Sequence, residues 1–228
     1  MNRRLAAVVA IAAVGVGLGL GGRPLAEVAA EDECVVIESF AKSKVGEFPT
    51  DWKPRKDEGT AVYVVKDEGG RRFLAARSKG LGVQAAKQHE WDLTKYPVLA
   101  WRWRAVEFPK GADERESSAN DSAVAVYLIV PYSKVRGPKA VKYIWSEKVP
   151  VGTRLNSNMG LTQVRVLRSG AETKGAWVEE RVNAREDYLK FFDTKDTPTP
   201  AGIAVLTDAD DTKSAAAGDY ADFRACRK

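Results

Sequence analysis

The sequence is short of the residues on which much enzyme chemistry depends: it has one histidine, two cysteines and two methionines in 228 residues. With His89 alone, a zinc site built on several histidines or on close-spaced cysteines is excluded. Any Ser-His-Asp or Cys-His arrangement must pass through that one ring, and its setting in Lys87-Gln88-His89-Glu90 reads as surface. A strong charge of one sign is also lacking. The 36 basic and 31 acidic residues are interleaved, without the basic stripe that nucleic-acid-binding domains concentrate, so no nucleic-acid partner is expected.

Long apolar runs are absent after Ala30, and no membrane span is expected in the exported chain. The first thirty residues are different. A basic start, Met1 to Arg4, is followed by an apolar run from Leu5 to Leu20, then Gly21 to Pro24, then the small residues Val28-Ala29-Ala30. That order is the signature of a secretory signal peptide, expected over residues 1–30. The 16-residue run falls short of the roughly 20 residues a spanning helix needs. Removing residues 1–30 takes away Arg3, Arg4, Arg23 and Glu27, leaving 33 basic and 30 acidic residues and a net charge of +3.

Residues 31–228 suit one domain, periplasmic or secreted. Cys34 and Cys226 stand at its two ends. In an oxidising compartment that placement suggests a disulfide joining the first strand to the last, two unpaired thiols being the alternative.

What is present is period-two alternation in short runs broken by Gly, Pro, Asp and Asn. Strands are expected at 35–40, 61–65, 72–77, 98–106, 122–131, 140–145, 161–167, 177–181, 202–207 and 220–224. One helix is expected at 185–192, capped by Asn183 with Glu186 three residues on. This pattern predicts an all-β sandwich with one short helix.

Alternation also sorts side chains by face. Leu99, Trp101 and Trp103 form an apolar set, which leaves Arg102 and Arg104 opposite. Val124, Val126, Leu128 and Val130 leave Tyr127 opposite; Val164 and Val166 leave Gln163 and Arg165; Val178 leaves Trp177, Glu179 and Arg181. The expectation is one sheet face carrying Arg102, Arg104, Tyr127, Gln163, Arg165, Trp177, Glu179 and Arg181. Guanidinium forks beside aromatic rings suit a ligand with hydroxyls or carboxylates. A solvated face of cross-strand ion pairs is the plainer alternative. Val141, Tyr143 and Trp145 share a face that is either core or the lining of a cleft.

Asp208-Ala209-Asp210-Asp211-Thr212 after an apolar strand has the form of the phosphotransferase opening Asp-x-Asp-x-Thr. Only 16 residues follow Thr212, too few for the rest of that active site. What survives is a carboxylate-rich turn, Asp208, Asp210 and Asp211, suited to calcium, with a plain Asp-rich turn as the alternative. No other cofactor motif is present. A carboxylate pair for glycoside hydrolysis is open, with Asp121 and Glu179 as the named pair.

The ordered segments Phe48-Pro49-Thr50-Asp51-Trp52, Tyr96 to Arg104, Asn120-Asp121-Ser122-Ala123, Tyr143-Ile144-Trp145-Ser146, Trp177 to Arg181, Asp187-Tyr188 and the Asp208 turn resemble one bacterial family. On them the chain is identified as a member of the domain-of-unknown-function family three thousand and forty-seven. The family pattern is similar to galactose-binding-like jelly rolls. The resemblance therefore implies a jelly-roll β-sandwich with its first and last strands adjacent and a sheet that holds carbohydrate. Asn120-Asp121 departs from the two aspartates expected there, which puts a carboxylate pair at that point in doubt. The expected function is noncovalent binding of a saccharide or other polar cell-envelope ligand. Glycan hydrolysis and a structural role with a protein partner are the alternatives.

Overall fold

Short runs of alternating apolar and polar residues can bury one side each only by packing sheet against sheet, and they do so here. The computed structural model describes residues 33–228; the expected signal peptide lies outside the described residues. The elements in chain order are β1 (Cys34–Glu38), β2 (Trp52–Pro54), α1 (Gly59–Val62), β3 (Tyr63–Glu68), β4 (Arg71–Lys79), β5 (Ala85–Gln88), β6 (Val98–Glu107) and β7 (Val124–Ser133). They continue with β8 (Gly137–Ser146), β9 (Arg154–Ser157), β10 (Thr162–Ser169), β11 (Val178–Asn183), α2 (Ala184–Phe191), β12 (Gly202–Leu206) and β13 (Ala215–Cys226). A six-stranded sheet runs β11-β6-β13-β4-β3 with β1 also on β13, and a seven-stranded sheet runs β2-β5-β12-β7-β8-β10-β9. Pairing is antiparallel throughout the described strands except for β8 with β10. The result is a jelly-roll-like β-sandwich.

Aromatic rings from facing strands fill the interior. Trp101 and Trp103 of β6 are fully buried and lie 5.5 Å from Tyr143 and 6.3 Å from Trp145 of β8, centroid to centroid. Val141, Tyr143 and Trp145 are thus core. Each such pair adds about 0.5–1.5 kcal/mol beyond the area it buries. The helix begins where its cap was expected: the Asn183 side chain accepts from the Glu186 amide at 3.0 Å, and buried Tyr188 packs into the core.

β1 lies beside the end of β13 with Cys34 opposite Cys226, and the two are joined in a disulfide. Such a bond is what an oxidising, non-cytoplasmic compartment sustains. Among the described residues no helix is long and apolar enough to cross a membrane. The strands not foreseen, β2, β5 and β9, are pieces of three or four residues, too short for alternation to register.

One face assignment is reversed. The parallel register sets Val164 beside Lys142 and Val166 beside Ile144, on the side away from Tyr143. Gln163 and Arg165 therefore point inward and the valines outward. The reason is a second apolar cluster on the outer face of the seven-stranded sheet, made of Ala125, Tyr127, Ala140, Ile144, Val149, Val164, Val166, Ala204 and Leu206. On a sheet apolar on both sides, apolar does not mean inward.

Candidate functional site

The outer face of the six-stranded sheet is rich in charge, and most of its charges are matched. Arg104 donates to Asp219 Oδ2 at 2.6 Å and pairs with Glu68 at 3.2 Å, while Arg77 takes the other oxygen of buried Asp219 at 2.7 Å. The Arg104 guanidinium stands 4.6 Å from the Trp177 ring centroid, and Arg102 stands 5.3 Å from it. The indole of Trp177 donates to Glu68 at 3.0 Å. That hydrogen bond and the Arg104 charge hold the Glu68 carboxyl below its usual range. A cleft of about 800 Å³ beside this network is lined in part by Arg72, Arg102, Glu179, Asp222 and Arg224. Here too most of the groups are engaged: Arg102 with Asp222 at 3.5 Å, Arg224 with Glu179 at 2.8 Å, and Arg72 with the carbonyls of Ala41 and Ser43 at 2.7 and 2.8 Å, the buried Nε of Arg224 alone keeping no partner among these. A ligand that took over these donors would have to displace contacts already made.

The outer face of the seven-stranded sheet is built differently. A groove of about 490 Å³ runs over an apolar floor of Tyr127, Ile129, Ala140 and Ala204, rimmed by Lys53, Arg55, Gln84, Arg136, Asn158 and Thr162. A further hollow of about 300 Å³ shares Arg55, Gln84, Tyr127, Asn158 and Thr162 and extends to Lys142, Asn120, Asp208 and Asp211. The floor comes from the period-two residues of β7, β8 and β12, held in register as Tyr127 opposite Ala204 and opposite Lys142.

Lys142 is the anomaly of that floor, a lysine only 5% exposed between Ala140 and Ile144. Its Nζ lies 5.7 Å from the Tyr127 ring centroid. Burial works against its charge, but Tyr127, Asp208 and Glu114 outweigh it and hold the ammonium above the usual lysine value. Glu114 is buried and accepts from Ser146 Oγ at 2.5 Å and Ser122 Oγ at 3.3 Å. Its pKa is raised by burial, with those hydroxyls and Lys142 opposing.

At the end of the hollow, oxygens of Asp121, Asp208 and Asp210 lie within 4.8 Å of one another. Asp121 is fully buried and fastened by the turn after β12. It accepts from the amides of Asp211 at 3.2 Å and Thr212 at 2.8 Å, and from Thr212 Oγ1 at 2.6 Å. Asp208 is pushed up to about 8. Burial is the main cause, and Asp210 and Asp121 add to it while Lys142 opposes them. The arrangement offers oxygen ligands to a hard cation and hydrogen-bonding groups to hydroxyls beside an aromatic floor.

A profile described as "Protein of unknown function (DUF3047)" matches residues 50–224. The chain belongs to the DUF3047 family. Curated proteins include none that matches it. Among solved structures it is similar to a meso-active, thermo-stable cellulase derived from the Cel12A cellulase of Rhodothermus marinus, at 11% identity and a TM-score of 0.40. That likeness covers 76% of this chain and 94% of the cellulase.

In this DUF3047 chain the eight residues expected on one face are divided between the two sheets. Arg102, Arg104, Trp177, Glu179 and Arg181 belong to the six-stranded sheet, with Arg181 reaching Cys226 Sγ and the Lys228 carbonyl at its edge. Tyr127 faces outward, but on the seven-stranded sheet. Arg165 turns inward to grip Asp187 at 2.8 and 2.9 Å, which also accepts from Tyr143 Oη, and Gln163 bonds the Gly160 carbonyl. The separation follows from strand order, which alternation along single strands does not encode. Asp121 and Glu179 likewise do not meet: Glu179 pairs with Arg224 beside the cleft of the six-stranded sheet, and Asp121 joins Asp208. In the acidic turn the third converging carboxylate is Asp121; Asp211 contributes its amide to Asp121.

Lys142, Glu114, Arg55 and Asn158 were not foreseen. For Lys142 a signal existed, a lysine at the parity of Ala140 and Ile144 inside an apolar strand. For the others none did, since they lie in loops whose approach only the fold determines.

Proposed function

We propose that the protein is an exported, non-catalytic binding module whose groove on the seven-stranded sheet takes a saccharide or similarly hydroxyl-rich cell-envelope ligand. The observation that carries this reading is the groove itself. Tyr127 and small apolar residues form a floor on which a sugar ring can stack, and Arg55, Gln84, Asn158 and Thr162 supply a rim of donors and acceptors. The charged face of the six-stranded sheet supports it less, because its guanidinium groups are already engaged. The N-terminal signal-like sequence and the Cys34–Cys226 disulfide support a periplasmic or secreted location.

Hydrolysis has one observation in its favour: Asp208 retains its proton near neutral pH beside Asp121, as a general acid must. The oxygens of the two residues approach within 4.8 Å. That is far closer than the roughly 6.5–9.5 Å of inverting pairs, and the Asp121 carboxylate that would have to act as nucleophile is already taken up by three donors of the Asp211-Thr212 turn, which favours binding.

A glycan array tests the reading. The protein should retain a saccharide class without turnover of chromogenic glycosides. The Arg55→Ala, Asn158→Ala double variant should lose about tenfold or more in affinity, a loss of about 1.4 kcal/mol, while Arg102→Ala keeps it. A blank array, or loss in Arg102→Ala alone, would contradict the assignment.

A further inference from the structure

Clustered aspartates are common without a ligand, and three of them in one place establish nothing. Two further features set this cluster apart. Asp208 is only 8% exposed, and its Oδ1 has no hydrogen-bond partner, although the large majority of buried side-chain polar atoms have one. The carboxylates of Asp121, Asp208 and Asp210 converge there, and like charges repel unless a positive charge or a proton stands between them.

The second feature is Gly82, which bridges to Asp208. A Cβ at this position would fall 2.4 Å from Asp208 Oδ1 and 2.7 Å from Asp210 Oδ1. The backbone therefore comes close to both oxygens only because residue 82 has no side chain. Asp121, the third member, is pinned by its three donors from the Asp211-Thr212 turn, so the set is held ready before any ligand arrives.

We propose that Asp121, Asp208 and Asp210 bind a divalent cation of the calcium type, in a cage whose close approach depends on Gly82. The donors are all carboxylate oxygens, which suits a hard cation. Two ligands on opposite sides of one calcium ion stand at most about 4.8 Å apart, since each bond is about 2.4 Å, so oxygens gathered within that distance can share one ion. Water completes the shell, because calcium takes about six to eight oxygens in a flexible geometry. The nearby Lys142 charge places the affinity in the weak range typical of extracellular modules. The proposal concerns the ion alone and holds whatever fills the groove.

Isothermal titration calorimetry of the full chain, stripped with EDTA and titrated with calcium chloride or magnesium chloride, tests it. The expected result is one calcium per chain with a Kd on the order of 10⁻⁴ M and weaker magnesium binding. Gly82→Ala and Asp208→Asn should each weaken calcium about tenfold or more, while Asp211→Asn stays within about threefold. Absence of saturable calcium binding, or calcium binding unchanged in Asp208→Asn, would overturn the proposal. Should Asp208→Asn fail to fold, thermal melting of the unaltered protein decides. Excess calcium should raise the midpoint over EDTA by mass action, and an unmoved midpoint would overturn the proposal.

Discussion

On the six-stranded sheet, Arg104 meets Asp219 and Glu68 and lies against the rings of Trp177 and Phe73. On the seven-stranded sheet, Lys142 rises from an apolar floor near the carboxyl groups of Asp208 and Glu114, and Asp208 keeps a buried oxygen without a partner. Both faces carry charge, but on the first most of it is paired within the face, with the Arg224 Nε left over, whereas on the second a buried carboxylate oxygen is left for something else to satisfy. Charge, aromatic content and the larger cleft would nominate the first; an apolar floor beside a buried carboxylate oxygen without a partner nominates the second. The lesson is that a binding face is recognised by what its polar groups still lack.

The largest test of this contrast is Arg104→Ala. Asp219 is fully buried and would keep only Arg77, itself 44% exposed at the side chain. Removing one partner of a buried pair costs about 3–5 kcal/mol when nothing replaces it. With Arg77 still in place, a loss of about 2–3 kcal/mol is expected in urea denaturation, with glycan and calcium binding unchanged. A stable variant that no longer binds ligand would break the comparison by making Arg104 a recognition residue.

A smaller effect is expected from Glu68→Gln. Glu68 is depressed by the Trp177 hydrogen bond first and the Arg104 charge second. A carboxylate depressed in the folded state contributes stability above its unfolded value, near 4.3, and loses that contribution as pH falls through the folded value. Because Glu68 is exposed, the stability gap between the unaltered protein and Glu68→Gln should be slight, constant above about pH 5, and should close in acid. A gap that widens below pH 4 would contradict the network described for this face.

Much of the architecture was legible in the residues, and the reasons are specific. The Trp101 and Trp103 ladder made the sides of β6 unmistakable, Asn183 with Glu186 marked the start of α2, and the terminal cysteines implied that β1 and the end of β13 are neighbours. Reading β10 failed because Val164 and Val166 face a second apolar cluster rather than the sandwich core. The site was partly visible, in Tyr127 and in the Asp208-Ala209-Asp210 turn. Its other members come from distant stretches, Asp121 some 87 residues before Asp208 and Gly82 earlier still. Only the pairing of β5, β12, β7 and β8 brings them together, and no local pattern carries that pairing.

Hydrogen–deuterium exchange with and without the saccharide selected on the glycan array tests the central claim most directly. Protection on ligand binding is expected in Val124–Ser133, Gly137–Ser146 and Gly202–Leu206, the strands beneath the groove. Protection confined to Val98–Glu107 and Val178–Asn183 would contradict it and return recognition to the arginine face.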